Sequence, residues 1–341
     1  MRRISKFFFV ITAAVAACAL AVVALPSRRA QAQAQPTAQA QGQPQAESYQ
    51  HVPLPKELPH GVTVADAQSL QNLIDDYRLE EPLVVSKIKD NIYLARGGPG
   101  RNVPNAGFVV GDSGVILVDN KNSIETEKAV LAEIAKVTPK PVNANIILHS
   151  QHESGVAALP PGLIIIAHEN AKQEMEVSTA RDMVPSDHFP TKTVSKDEML
   201  TIDGVRVRLL HWAPAYTGGD LIAYFPAQKV AFGSDLVVTD FPLGSTFIDL
   251  KGHGSAAGWI ENVKGMLSLD ADYYVSGHGA LFTKRDLRTK LAFVEEKWNK
   301  VKALAGQGKS LDEVKAATAG SLERNPNMTE VMYTELTTNK Q

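Results

Sequence analysis

Cysteine is almost missing from this sequence. The 341-residue chain has one, Cys18, and it falls inside an apolar N-terminal run. Once that run is removed, no disulfide, thiolate nucleophile or thiolate metal ligand can be built. Basic charge is not in excess either: the formal net charge is −2, and no cluster of Lys and Arg occurs. That excludes the electrostatic footprint of a nucleic-acid binder. No internal repeat of solenoid length is present.

What remains is globular in composition, 44% hydrophobic and 21% charged, and long enough for a sizeable core. The first 34 residues stand apart from that core. Arg2, Arg3 and Lys6 precede a run of apolar or small residues from Phe7 to Leu25, broken by Thr12 alone, and Ala30-Gln31-Ala32 and Ala32-Gln33-Ala34 offer small-x-small cleavage sites. The pattern predicts a bacterial-type secretory signal over 1–34, and so a protein exported to the periplasm or secreted. An uncleaved membrane anchor and a lipid attached at Cys18, after Val15-Ala16-Ala17, are the alternatives. Loss of residues 1–34 removes five basic groups and no acidic one, taking the formal charge from −2 to −7. Residues 35–60, rich in Gln, Ala and Pro, read as a disordered linker.

Over 62–79, Leu70, Leu73, Ile74 and Tyr77 share one helical face, which predicts a short N-terminal helix at the start of a domain over 61–282. Val84–Ile88 and Asn91–Ala95 read as strands, followed by a Gly/Pro-rich loop, Gly97–Pro104, and a hairpin over Asp112-Ser113-Gly114. The loop lacks the Lys-Ser or Lys-Thr of a phosphate cradle and is expected to border a cleft. Ser123 is placed to cap a helix. Further strands are expected at Ala144–Leu148, Leu163–Ala167, Val205–Leu210, Leu221–Phe225, Val230–Phe232 and Tyr273–Val275. Helices are expected at Glu169–Met175, Ala256–Leu267, Thr283–Leu304 and Leu311–Ala317, the last two within a helical extension over 283–341. Strand-rich and mixed segments recur twice, so the natural packing is two sheets with helices on their outer faces.

Chemistry concentrates in Ile146-Ile147-Leu148-His149-Ser150-Gln151-His152-Glu153-Ser154-Gly155, where a β-branched run ends abruptly in two histidines, an amide and a carboxylate. Buried strands deliver polar groups to a sheet rim in this way. Asp235 and His278 also follow apolar runs. The other histidines of the folded part, His60, His168, His188, His211 and His253, and His51 before it, have no partner at metal-ligand spacing, so packing is their default reading.

Five landmarks in order resemble the metallo-β-lactamase superfamily: Val115-Ile116-Leu117-Val118-Asp119; Ile146–Gly155, where that family carries H-x-H-x-D-H; Ala213–Asp220, where it has G-P-A-H-T; Val230–Asp235; and Ser276-Gly277-His278-Gly279. The resemblance implies an α/β, four-layer αββα sandwich, with the C-terminal helices as an addition, and a zinc-dependent hydrolase of small-molecule substrates. It implies Asp235 as a bridge between two metals and His278 as a ligand of the second. Tyr216 stands where a histidine of the first metal is expected. The focal loop admits two alignments. Fixed on His149, it puts Gln151, Glu153 and Ser154 at motif ligand positions. Fixed on Gly155, Gln151-His152 replaces the Asp-His pair, and this version needs no gap through Gly162.

In both alignments a full dinuclear site is out of reach. His149 or His152 with Asp235 and His278 suits one zinc or iron ion. Glu153 is the candidate general base and Tyr216 the candidate donor to a developing oxyanion. Asp119 reads as a group that orients a histidine. The expected function is hydrolysis of an ester, amide or related bond by one metal-activated water. The alternative is a pseudoenzyme, a binding or scaffold protein of the envelope that has lost the reaction and holds no metal.

Overall fold

The computed structural model describes residues 54–77, 80–100, 102–151, 153–177, 184–239, 241, 243–318 and 328–338, with the main chain alone at Glu153. The expected signal and most of the expected linker lie outside these residues, as does His152. Among the described residues no helix is long and apolar enough to cross a membrane.

Helix α1 (Val64–Asp75) starts at Thr63, whose hydroxyl accepts from the Asp66 amide while Asp66 accepts from the Thr63 amide. That reciprocal box satisfies two of the amides a helix start leaves open. Strands β1 (Glu81–Lys89), β2 (Ile92–Gly98), β3 (Ala106–Val110) and β4 (Val115–Val118) then run antiparallel, next to next. Helix α2 (Ile124–Val137), capped by Ser123 as expected, crosses over to β5 (Val142–Ile146), parallel to β4. Strand β6 (Ile164–His168), helix α3 (Glu169–Val177) and strand β7 (Lys192–Val194) complete a seven-stranded sheet.

The second sheet has six strands, in the order β13-β12-β11-β10-β9-β8. It is built from β8 (Glu198–Ile202), β9 (Val205–Leu210), β10 (Ile222–Phe225), β11 (Val230–Val238), β12 (Tyr273–His278) and β13 (Phe282–Thr283). Helix α4 (Ala256–Ser268) joins β11 to its parallel neighbour β12. Helices α5 (Lys284–Gly306), α6 (Leu311–Thr318) and α7 (Met328–Thr338) follow.

Side-chain alternation sorts these strands into layers. In β4, Ile116 and Val118 join a cluster shared with the second sheet, while Val115 and Leu117 pack with Val130 and Ile134 of α2. In β10, Ala223 and Phe225 face the first sheet, and Ile222 and Tyr224 face a cluster built from α1, α4, α5, α6 and α7. A strand buried on both faces has to be apolar at every position, which is why these runs show no polar alternation. The result is the expected αββα sandwich with additional C-terminal helices.

Several boundaries differ from the sequence reading. Strand β2 continues through Gly97-Gly98, so the loop starts later. Strands β7 and β8 and helix α7 were not expected. The first of these strands has three residues, the second mixes Glu198 and Thr201 with Met199 and Leu200, and α7 is rich in Thr, a β-branched residue that weakens a helical reading. The expected strand Val230–Phe232 runs on to Val238, so Asp235 lies within β11 and not beyond its end. The pairing of β11 with β12 is irregular on both sides of Ser234, whose φ is 45°; this bulge re-aims the following side chain.

Candidate active site

Of the residues singled out by sequence, Asp119, His149, Tyr216, Asp235 and His278 are described, and contacts link them in two groups near the C-terminal parts of the parallel strands. Asp119 is the hinge of the arrangement. It follows β4 directly, with a φ of 62°, and its amide donates to the Ile146 carbonyl at 2.8 Å. One carboxylate oxygen accepts from the Leu148 amide at 3.4 Å and the other from the Ser234 hydroxyl. A single buried side chain thus ties the start of the focal loop, from the first sheet, to the bulge of β11, from the second. Burial pushes its carboxyl above the ordinary range, and the His149 imidazole pulls against that.

Asp235 and His278 meet on neighbouring strands, with His278 Nε2 3.5 Å from Asp235 Oδ1. Both residues are buried, at 8% and 6% exposure, yet Asp235 Oδ1 and His278 Nδ1 have no hydrogen-bond partner. Orphaned buried acceptors and donors are costly. The close approach is made possible by Gly277, where a Cβ would stand 1.9 Å from Asp235 Oδ1. The main chain of His278 is held by Thr239, whose hydroxyl donates to the His278 carbonyl at 2.9 Å, and Tyr77 presents its ring edge-on at 6.4 Å. Asn105 clamps the same turn: its amide donates to Gly277 O at 2.6 Å, and its Nδ2 donates to Ser276 O and Gly279 O at 2.9 and 3.0 Å.

His149 is also buried, at 4%. Its Nδ1 accepts from the Gln151 amide at 3.0 Å, and its ring meets that of Tyr216 edge-on at 5.2 Å. The Tyr216 phenol donates its proton to Gln151 Oε1 at 3.0 Å, and Gln151 Nε2 donates to Asp249. Tyr216 sits on a loop fixed by Asp220, whose buried carboxylate accepts from the Ala215 amide and from the amide and hydroxyl of Thr217. Burial still pushes Asp220 up to about 7.

Three further contacts escaped the sequence reading. Asp249 lies 98 residues from Gln151, in a loop with no motif of its own. Lys121 is fully buried, and its Nζ donates to the carbonyls of Ala95, Gly97 and Pro104 at 2.7, 3.0 and 2.6 Å, pinning both ends of the Gly/Pro loop. His168 and His211, read as separate packing residues, stack with ring centroids 4.1 Å apart. Burial, reinforced by His211, pulls His168 down to about 4. His188 packs away from the site, with Nε2 3.1 Å from the Leu159 carbonyl.

Among the described residues no three His, Cys, Asp or Glu side chains stand close enough to share an ion. The pair Asp235 and His278 nonetheless fits one: a carboxylate oxygen and an imidazole, both hard or borderline donors, are buried side by side, and Asp235 Oδ1 makes no hydrogen bond. His152 and the Glu153 side chain lie outside the described residues.

The sequence profile of the metallo-beta-lactamase superfamily matches residues 99–278. The α subunit of 2,4-dinitroanisole O-demethylase from Nocardioides sp. strain JS1661 is 24% identical over 237 residues, which cover 68% of this chain and 67% of that protein. Among solved structures, the stereoselective inverting sec-alkylsulfatase from Pseudomonas sp. superposes with a TM-score of 0.59 at 17% identity. The match covers 79% of this chain and 52% of that one, so this chain spans about half the sulfatase's length. A metallo-beta-lactamase from Erythrobacter litoralis gives a TM-score of 0.53 at 19% identity, over 65% of this chain and all of that one. These superpositions speak for the fold.

Proposed function

The chain belongs to the metallo-beta-lactamase superfamily, and from that premise we propose that it is an exported hydrolase that uses one metal ion, zinc or iron, to open an ester, amide or related bond. The observation that carries this reading is the buried pair Asp235 and His278: His278 Nε2 stands 3.5 Å from Asp235 Oδ1, and neither that oxygen nor His278 Nδ1 makes a hydrogen bond. A cation bound by these two residues would relieve that cost, with His152 of the focal loop as the third ligand of this proposal. When bound, such an ion supplies Lewis acidity and brings the pKa of a water to about 7.

The chain's own residues do the rest. Asp235 and His278 bind. Asp119 keeps the focal loop and the β11 bulge in register through Leu148 and Ser234. Asn105 and Thr239 fix the turn that aims His278. Glu153 is the general base of this proposal. Tyr216 forms a wall: its phenol proton goes to Gln151, so donation to an oxyanion requires that bond to open first.

The test is elemental analysis of the purified protein after reconstitution, then turnover of an ester and lactam panel. A secondary alkyl sulfate and 2,4-dinitroanisole join the panel because relatives are named for them. About one equivalent of metal, and turnover abolished in Asp235→Ala, is the expected result. Less than about half an equivalent of any transition metal sinks the reading.

A second reading, a pseudoenzyme of the envelope, draws on the closed hydrogen bonding around Tyr216. It predicts no turnover in the wild type. Export is tested by fractionating cells that express the full chain and locating the protein.

A further inference from the structure

The two halves of the site differ in their hydrogen-bond accounting. On one side, Asp235 and His278 are buried with atoms left open. On the other, three residues close a ring. The Tyr216 phenol donates to Gln151 Oε1 at 3.0 Å, Gln151 Nε2 donates to Asp249 Oδ2, and the Asp249 amide returns to the Tyr216 carbonyl at 2.8 Å. Both oxygens of Asp249 are engaged, since Oδ1 accepts from the Lys251 amide at 3.0 Å. The nearby carboxylate of Glu174 accepts from the Ser150 hydroxyl. His149 Nδ1 already accepts from the Gln151 amide.

Main-chain bonds lace the ring into place. The Gly218 amide donates to Gly252 O at 2.6 Å, the Gly254 amide to Asp249 O at 2.8 Å and the Ser255 amide to Ala215 O at 2.8 Å. A Cβ on Gly254 would lie 2.3 Å from the Tyr216 carbonyl oxygen, so the two loops touch with no slack.

We propose that the Tyr216–Gln151–Asp249 ring closes the His149 side of the site against a cation, doing with hydrogen bonds the joining work that a shared ion does with ligand bonds. This rests on the metal-site reading above. The physical case is one of donors: a phenol with its proton committed and a neutral amide are poor cation ligands, and the one carboxylate in the ring is turned to the Gln151 and Lys251 N–H groups. Asp249 and Gln151 are therefore specificity residues for metal number, joining three segments far apart in sequence.

The experiment strips the full chain with chelator, then titrates Zn²⁺ by calorimetry and follows backbone hydrogen exchange over residues 249–254. Wild type, Tyr216→Phe and the double variant Tyr216→His/Gln151→Asp are compared. Tyr216→Phe breaks the ring without offering a ligand, so exchange over 249–254 is expected to speed up at least tenfold while the Zn²⁺ count stays at the wild-type value. The double variant is expected to take one Zn²⁺ more than wild type.

Unchanged exchange in Tyr216→Phe overturns the proposal, as does a double variant that folds and binds no additional ion. Two Zn²⁺ bound by wild type also overturns it. Should wild type bind none and the double variant bind one, the ring proposal stands and the hydrolase reading fails, so the two failures are distinguishable.

Discussion

A buried carboxylate oxygen without a hydrogen bond is a liability in the metal-free protein, and Asp235 Oδ1, faced by His278 Nε2 at 3.5 Å, is such an atom. Asp235→Asn removes the charge while keeping the shape beside Gly277. Thermal unfolding of the chelator-stripped protein is expected to show the variant as stable as wild type or more so, by about 1–3 kcal/mol, while Zn²⁺ affinity drops at least tenfold in calorimetry. A stripped variant that melts well below wild type would show that Asp235 is a structural group and not a ligand.

Lys121 is the opposite case, a buried ammonium that is fully used. Burial pulls it below its ordinary range and the Glu127 carboxylate raises it. Three carbonyl acceptors match its three protons. Lys121→Met strands those carbonyls, and a loss of about 3 kcal/mol or more is expected from urea denaturation. At this scale the sequence was legible where chemistry followed a strand. His149, Asp235 and His278 could be named because each ends or interrupts an apolar run. Asp249 and Lys121 could not, since an acid in a glycine-flanked loop and a lysine after a strand are ordinary surface patterns until the chain is folded around them.

Among the elements, the parallel strands were readable because burial on both faces makes them continuous apolar runs. β11 shows the limit of that reading. In sequence its apolar run stops at Phe232 because Gly233, Ser234 and Asp235 are polar or small, but the bulge at Ser234 lets the strand continue while one polar side chain reaches Asp119. Helix α7 was hidden for another reason: its role is tertiary. Glu335 accepts from the Ser255 hydroxyl at 2.6 Å and the Ala256 amide at 2.8 Å, placing a negative charge on the first turn of α4. Ser255 caps the same helix from within, accepting from the Gly258 amide at 3.0 Å. Glu335→Ala is expected to cost about 1–2 kcal/mol and to speed hydrogen exchange in both α4 and α7. Faster exchange in α7 alone would show that α4 needs no help from it.

For the molecule as a whole, the seam between the sheets carries a pH dependence. His168 ends β6 in the first sheet, and His211 follows β9 in the second; 43 residues separate them, and only sheet packing stacks their rings. His168 Nδ1 accepts from the Asn170 amide, while the other ring nitrogen faces the Ser195 carbonyl at 3.4 Å, which fits a neutral imidazole. His211 Nδ1 lies 2.8 Å from the Asp220 carbonyl. With the folded pKa of His168 near 4 and the unfolded value at 6.5, the unfolded chain binds more protons throughout that interval. Stability contributed by the neutral ring is therefore complete above about pH 6.5 and lost as pH falls toward 4. Urea midpoints measured for wild type and His168→Gln across this range are expected to converge as pH falls, the variant lacking this acid-dependent loss. Parallel profiles would show that His168 does not titrate with unfolding; the buried Asp220 carboxyl, raised to about 7, works against the His168 loss, since the fold binds its proton more tightly and gains stability as pH drops from 7 toward 3.8.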